Sequence, residues 1–336
     1  MEPIMIEEYK GHKIKVYYDD APFDPRENDN IATFVCEHRN YVLGDEHCIE
    51  DAVSELFDSL VTSQQIINYF VSDRQAVLRN DEYGYYYSWN ENGNERNSDC
   101  FPATADTDEI AEVLTDELYL QDKLNLVEAS GEVAIQPISM YEHSGISIWL
   151  GGYAGHPDAQ WDCGTLGFAY ITKATAEEEM PNFSEETWKE WANQIMKGEM
   201  KEYAAYVSGQ VYGYMIEALD DDEGCDDSCW GYYDESYMLE DAKANIDAYV
   251  AKATKKREEV LAILNKVRNI DVLAGLKFVD GNHLYYFHKI GSCGTLAVVE
   301  KIGDDGIIGV PQSMNFTKLS NRALSIINKY YDEHNK

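Results

Sequence analysis

Apolar positions along the chain follow two rhythms, one of period two and one of period three to four, and the alternation between them sets the predicted elements. Residues 4–9 and 13–18 alternate as a hairpin around Lys10-Gly11-His12, and 31–36 form a third short strand after a polar loop with Pro22 and Pro25. Val53, Leu56, Phe57 and Leu60 then recur at helical spacing, which predicts a helix over 49–60 and a second over 64–71. Residues 83–89 read as an aromatic strand and 90–99 as a loop tip at Gly93. Asp106 followed by Glu109, with Ile110, Val113 and Leu114 behind, is a helix start with a capping box.

The stretch 141–171 holds two apolar runs of strand length, 146–150 and 165–171, on either side of a loop rich in Gly, Pro and Asp. Residues 133–138 precede it and join the same sheet. A helix opened by Ser184 or Asn182 follows, with Trp188, Trp191 and Ile195 on its apolar side, and then a short one over 199–206. A strand over 207–218, a strand over 229–233 and a long helix over 239–268 come next. The last segment predicts strands at 276–279, 284–288, 295–301 and 307–310, separated by Gly-bearing turns, with a closing helix over 318–331. The expected class is α+β, an antiparallel-rich sheet packed with helices plus a small C-terminal ββββα module. The expected parts are an N-terminal region 1–130 with an insertion at 50–130, a core 131–270 and a module 271–336.

Charge changes this picture more than composition does. The 336 residues carry 62 acidic and 27 basic side chains, a net charge of −35. Residues 251–336 hold 13 basic and 9 acidic residues, so 1–250 hold 14 and 53, a net of −39. The acidity therefore belongs to the body and not to a tail. Such a body repels nucleic acid and anionic membranes, because phosphate contacts need Lys and Arg. An apolar fraction of 44% supplies cores, which separates the chain from acidic disordered segments. No apolar run approaches the ~20 residues of a membrane span. Seven scattered cysteines and an N-terminus bearing Glu2, Glu7 and Glu8 predict free thiols and a cytosolic setting.

Candidate chemistry falls in two groups. The 141–163 stretch offers His143, His156, Trp161, Asp162 and Cys163, the residue types of a ligand pocket or a thiol dyad; spacing supplies neither a metal pair nor an orienting third group, and structural turns fit it better. The second group is acidic surface: Asp106, Asp108, Glu109, Glu112 and Asp116; Glu177, Glu178 and Glu179; and Asp220, Asp221, Asp222, Glu223, Asp226 and Asp227. The 220–227 run does not fit a calcium hand, because Gly224 stands at loop position five where the hand's glycine is sixth. Cys225 and Cys229 lack a second pair. Asp24, Arg26, Glu27 and Asp29 form the densest charged cluster of the N-terminal part, in what the two prolines make an ordinary capped loop. No phosphate loop, dinucleotide fingerprint or nucleophile elbow occurs, so no cofactor, metal or catalytic residue is expected.

His143-Ser144-Gly145-Ile146, Trp161-Asp162-Cys163-Gly164 and Gly167-Phe168-Ala169-Tyr170, with the stretches 28–45, 203–216 and 227–231, resemble a widespread family of uncharacterised phage and mobile-element proteins. The family pattern has Ser where Cys163 stands. The likeness covers about residues 1–50 and 130–270, and it implies a phage setting inside a bacterial cytoplasm without implying catalytic residues. Joined to the charge, it leads to the expectation of an anti-defence binding protein. Its partner would be a host defence protein with a basic nucleic-acid-binding surface, blocked by DNA mimicry or by sheathing; a homo-oligomer is also open. The alternatives are a sponge for a small nucleotide signal or a hydrolytic enzyme using the 143–163 loop, and an acidic accessory protein without a defence role.

Overall fold

In the computed structural model the residues described are 2–218, 227–266, 276–280, 283–290, 296–302, 312–315 and 321–334. The fold is α+β, with antiparallel sheets packed against helices. Two compact units divide the chain. One comprises 1–6, 15–215 and 228–238, and the other 7–14, 216–227 and 239–336.

The first unit is built on a four-stranded sheet of β3 (Thr33–Cys36), β7 (Val133–Glu142), β8 (Ile146–Leu150) and β9 (Cys163–Thr172), in the order β3-β9-β7-β8. The two apolar runs that flank the 151–162 loop are both strands. They do not pair with each other, because β7 lies between them and β8 takes the edge. Alternation along the strands gives the sheet two buried faces. Phe34, Cys36, Ala134, Ile138, Met140, Ile148, Ala169 and Ile171 pack with Trp188, Ala192, Met196, Met200 and Tyr203 of α6 (Trp188–Val207). The helix expected around Trp188, Trp191 and Ile195 and the one expected over 199–206 are this single helix.

Val35, Val133 and Phe168 face the other way. They share a core with Val53, Leu56 and Phe57 of α1 (Ile49–Leu60), Ile66 of α2 (Ser63–Asn68), Leu114 of α3 (Thr107–Thr115), and Leu126 and Val127 of α4 (Leu120–Ala129). The stretch 50–130 thus supplies the second wall of the core. A register shift between Ile138 and Ser139 accommodates an extra residue, Leu166, in β9.

Local chemistry explains most element ends. Thr62 and Gln65 form a capping box on α2, and Asp106 and Glu109 form one on α3. Residues 69–73 continue α2 as a single π-helical turn. A three-stranded sheet, β4 (Val77–Asn80), β5 (Tyr85–Glu91) and β6 (Asn94–Asn97), occupies part of the region read as a loop tip; Asn92 and Gly93, both at positive φ, turn the β5–β6 hairpin. The first hairpin, β1 (Met5–Tyr9) and β2 (His12–Tyr18), turns at Lys10 and Gly11, also at positive φ. It forms a sheet with β10 (Tyr212–Ala218) and β11 (Asp227–Tyr232) in the order β1-β2-β10-β11. Gly213 is required in β10, because a Cβ there would stand 2.2 Å from the Trp230 ring.

In the second unit, α7 (Glu235–Lys266) contributes buried Ala242 and Ile246, and Lys10 bonds Asp247 at 2.6 Å. A sheet of β12 (Lys277–Asp280), β13 (His283–Ile290), β14 (Leu296–Ile302) and β15 (Gln312–Asn315) is antiparallel throughout, and α8 (Asn321–His334) follows. The strand expected at 307–310 and the boundary expected at 269–275 lie outside the described residues. No helix among the described residues is long and apolar enough to cross a membrane.

Candidate functional site

The register of the central sheet decides what the 141–163 stretch presents. Ser139 lies opposite Trp149 and Thr165, and Tyr141 opposite Ser147 and Cys163. Tyr141, Trp149 and Cys163 therefore share the face that carries Val133 and Phe168, at its far end. The loop 151–162 folds onto this end and is anchored at its root: Gly151 N donates to Pro137 O at 2.7 Å, and the buried Ser139 hydroxyl donates to Gly151 O at 2.6 Å. The His156 ring stacks on Trp149 at 5.7 Å between centroids and lies 4.9 Å from Tyr141. Its Nδ1 accepts from Asp158 N, which places the proton of the neutral ring on Nε2.

A hydrogen-bonded turn closes the loop. Trp161 N and Asp162 N both donate to Asp158 O, at 3.0 and 3.1 Å. Asp158 and Trp161 are exposed on this turn, whereas Asp162 is half-buried. Trp161 is 86% exposed. Asp162 also lies 3.5 Å from His143 Nδ1, an ion pair when that imidazole is protonated. On the other side of β7, Glu142 accepts from Tyr41 Oη at 3.1 Å and lies 3.6 Å from His38 Nε2, with the His38 and Tyr41 rings stacked.

The structure thus brings His143, His156, Asp162 and Cys163 into one neighbourhood without making a nucleophile. Partial burial pushes the Cys163 thiol up, and the negative charges of Asp158 and Asp162 push it further; Tyr141 is raised for the same reasons. A reactive thiol needs the opposite environment. The charges of Asp158 and Asp162 oppose a phosphate in this neighbourhood. Among the described residues no group of three or more His, Cys, Asp or Glu is placed to hold a metal ion.

The acidic candidates divide by role. Asp106 accepts from Asp108 N and Glu109 N, Glu109 accepts in return from Asp106 N, and Asp108 accepts from the Ser63 hydroxyl at 2.6 Å. These three stabilise the α3 N-terminus, where the helix dipole favours negative charge. Glu112 and Asp116 are exposed farther along that helix. Glu177, Glu178 and Glu179 are exposed in the last turn of α5 (Lys173–Glu179), where the dipole opposes them. Lys173 is spent on Glu185 at 2.8 Å and Glu132 at 3.8 Å. Asp227 opens β11 and is exposed, whereas Asp220, Asp221, Asp222, Glu223 and Asp226 lie outside the described residues.

Two buried arginines were missed as such by the sequence. Arg26, in the cluster read as a capped loop, has a side chain only 5% exposed. Its guanidinium takes Asp45 with both prongs, Glu199 at 2.8 Å and Ala32 O at 2.6 Å, 3.9 Å from the Phe34 ring centroid. Asp24 does cap the turn Pro25–Glu27, as expected. Arg74 pairs with Asp122 and Glu91 beneath the rings of Tyr69, Phe70, Trp89 and Tyr119. An open cavity of about 450 Å³ adjoins it, lined by 73–75 and 89–92. Trp89 there is 4% exposed and its Nε1–H has no partner, but that nitrogen is buried away from solvent and gives a ligand no handle.

Compared with protein-family models, curated proteins and solved structures, the chain matches none.

Proposed function

We propose that this chain is a non-catalytic binding protein whose carboxylate surface occupies the cationic cleft of a nucleic-acid-handling protein. In the phage or mobile-element setting that the resemblance implies, the reading is an anti-defence inhibitor in the host bacterial cytoplasm, acting by DNA mimicry or by sheathing a defence complex. The observation that carries the reading is the placement of Glu177, Glu178 and Glu179. They are exposed at the C-terminal end of α5, where the dipole opposes each by roughly 0.3–1 kcal/mol, offset at Glu177 by the charge of Lys173. None of α1 to α6 has a basic residue in its last turn. Charge retained against the preference of the fold is explained by a use outside the fold. Opposite charge on a partner speeds capture and fixes orientation.

The pocket reading is weaker, because Asp158 and Asp162 repel a nucleotide phosphate and hold the Cys163 thiol in its unreactive form. The test is capture from a bacterial extract on immobilised protein. Nucleic-acid-binding proteins are expected on the resin, released by duplex DNA and by about 0.5 M salt, at which exposed charges are largely screened. A triple Glu177→Gln, Glu178→Gln, Glu179→Gln variant is expected to capture less. Retention unchanged by salt and by DNA overturns the reading.

A further inference from the structure

The β5–β6 hairpin turns on the chain's only Asn-Gly pair, Asn92 and Gly93. Glu91 faces Asn94 across it, so the loop holds these two residues alone, at φ 52° and 85°. Both are exposed, and nothing stands within 4 Å of where a Cβ at Gly93 would be. An Asn side chain ends in an amide carbon that the next backbone nitrogen attacks when it is free to reach it. A glycine in the next position puts no side chain in the way. On the same hairpin Asn90 and Asn94 are each followed by Glu, and Asn97 by the buried Ser98. Three further asparagines thus share the setting without the open neighbour. One contact opposes the reaction at Asn92: Gly93 N donates to Asn90 Oδ1 at 3.0 Å. The nitrogen sheds this proton in order to attack, so the bond to Asn90 is lost first.

We propose that Asn92 is a site of spontaneous deamidation, restrained by the Asn90 side chain. Gly93 N gives up its proton and bonds Asn92 Cγ. The Cγ–Nδ2 bond breaks, and ammonia leaves with that proton, closing a succinimide ring. Water then opens the ring. Cleavage between Gly93 N and Cγ leaves an aspartyl residue on an unaltered main chain. Cleavage between Gly93 N and the main-chain carbonyl carbon of residue 92 leaves an isoaspartyl residue. Either product exchanges one ammonia for one water and gains a carboxylate. The new charge is next in sequence to Glu91, which already serves Arg74 at 3.1 Å and both Arg96 and Tyr119 at 3.3 Å. The isoaspartyl form also adds one carbon to the main chain inside a two-residue loop, which disturbs the Glu91–Asn94 register. The inference concerns the three-stranded sheet and stands apart from the binding reading above.

Ageing of the full chain in mildly alkaline buffer, followed by tryptic mapping, tests this. Arg79 and Arg96 bracket one peptide that holds Asn80, Asn90, Asn92 and Asn94, and fragment masses locate the converted residue. Conversion is expected at Asn92 and not at the other three. Asn90→Ala is expected to convert about fivefold faster, the worth of one net hydrogen bond. Asn90→Asp keeps an acceptor for Gly93 N and is expected to convert no faster than the parent. Circular dichroism verifies that both variants are folded, and the parent alone tests the site. An intact Asn92 in the folded parent, over a period in which the urea-unfolded chain converts, overturns the site. Conversion spread evenly over the four asparagines overturns the part played by the turn, and equal rates for the parent and Asn90→Ala overturn the restraint by Asn90.

Discussion

Arg26 and Glu199 meet at 2.8 Å although 173 residues separate them, and this contact ties the N-terminal loop to the long helix of the central core. Glu199 also accepts from Ile31 N and Ala32 N, and Asp45 from Phe34 N, so one guanidinium organises the entry into β3. Arg26→Ala leaves two carboxylates facing one another, and removing one partner of a buried pair costs about 3–5 kcal/mol. The lower end is expected, because the Asp45 side chain keeps 27% exposure. Arg26→Lys restores charge without the two-pronged geometry and is expected to recover less than half of the loss. Urea denaturation of the three proteins checks this; a wild-type midpoint for Arg26→Lys means that the fork is dispensable.

A second close approach concerns Gly167 and Val35. A Cβ at Gly167 would stand 1.8 Å from the Val35 carbonyl oxygen, so β9 passes β3 only because residue 167 has no side chain. Gly167→Ala is expected to destabilise by about 3 kcal/mol or more, at the upper end for overpacking, since the obstacle is backbone. Gly164→Ala, three residues earlier with nothing within 4 Å of its Cβ, is expected to stay within about 0.5 kcal/mol of the parent. Equal melting temperatures for the two variants would show that the strands can separate without cost.

These contacts mark where the sequence stops being readable. Local pattern carried α1, the Asp106–Glu109 box, the Lys10-Gly11 turn and the strand character of 146–150, because periodicity and turn chemistry are properties of neighbouring residues. It did not carry the strand order, since inserting β7 between β8 and β9 is decided by packing over long separations. β4 and β6 escaped because every residue in them is exposed, which removes the alternation that signals a strand. Arg26 looked like one charge in a polar loop, as its partners Asp45 and Glu199 are remote. Trp161 was read as part of a structural turn, which it is; that its ring faces solvent is invisible to composition.

Cys36 ends β3 in the same core as Phe34, 2% exposed, and burial with the nearby Asp45 charge pushes its thiol up to about 12. At neutral pH it is protonated and closed to solvent. Iodoacetamide with peptide mapping is expected to alkylate the exposed Cys48, Cys100 and Cys229 in the native protein, and Cys36 only after denaturation. Native labelling of Cys36 at the rate of Cys48 would show that β3 opens readily.

Glu46 carries an unfavourable charge. Partial burial raises its carboxyl above the ordinary range, Glu55 and Asp45 raise it further, and the Tyr170 hydroxyl opposes them only partly. An acid whose folded pKa lies above its unfolded value binds more protons when folded, so its contribution to stability is full below the unfolded pKa of about 4.3 and is lost as pH rises through the folded value. Glu46→Gln keeps an acceptor for Tyr170 and removes the charge. The variant is expected to melt higher than the parent at pH 7, with the gap closing toward pH 4. A gap that widens on acidification would reverse the assigned sign.

The glutamates of α5 couple stability to binding. Glu178 and Glu179 stand in the last turn of a seven-residue helix, and neither has an ion-pair partner among the described residues. A cation there interacts favourably with the helix dipole, so Glu178→Lys and Glu179→Lys are each expected to stabilise by about 0.3–1 kcal/mol, more at low salt than at high salt. The same changes are expected to weaken capture of basic partners, because each reverses one charge on the surface proposed to bind them. Stability from thermal melts at 0.02 and 0.5 M salt, set beside affinity for nona-lysine, separates the two effects. Variants that gain stability and lose affinity show charge kept for a partner at the expense of the helix; variants that gain stability and bind equally well move the working surface away from α5.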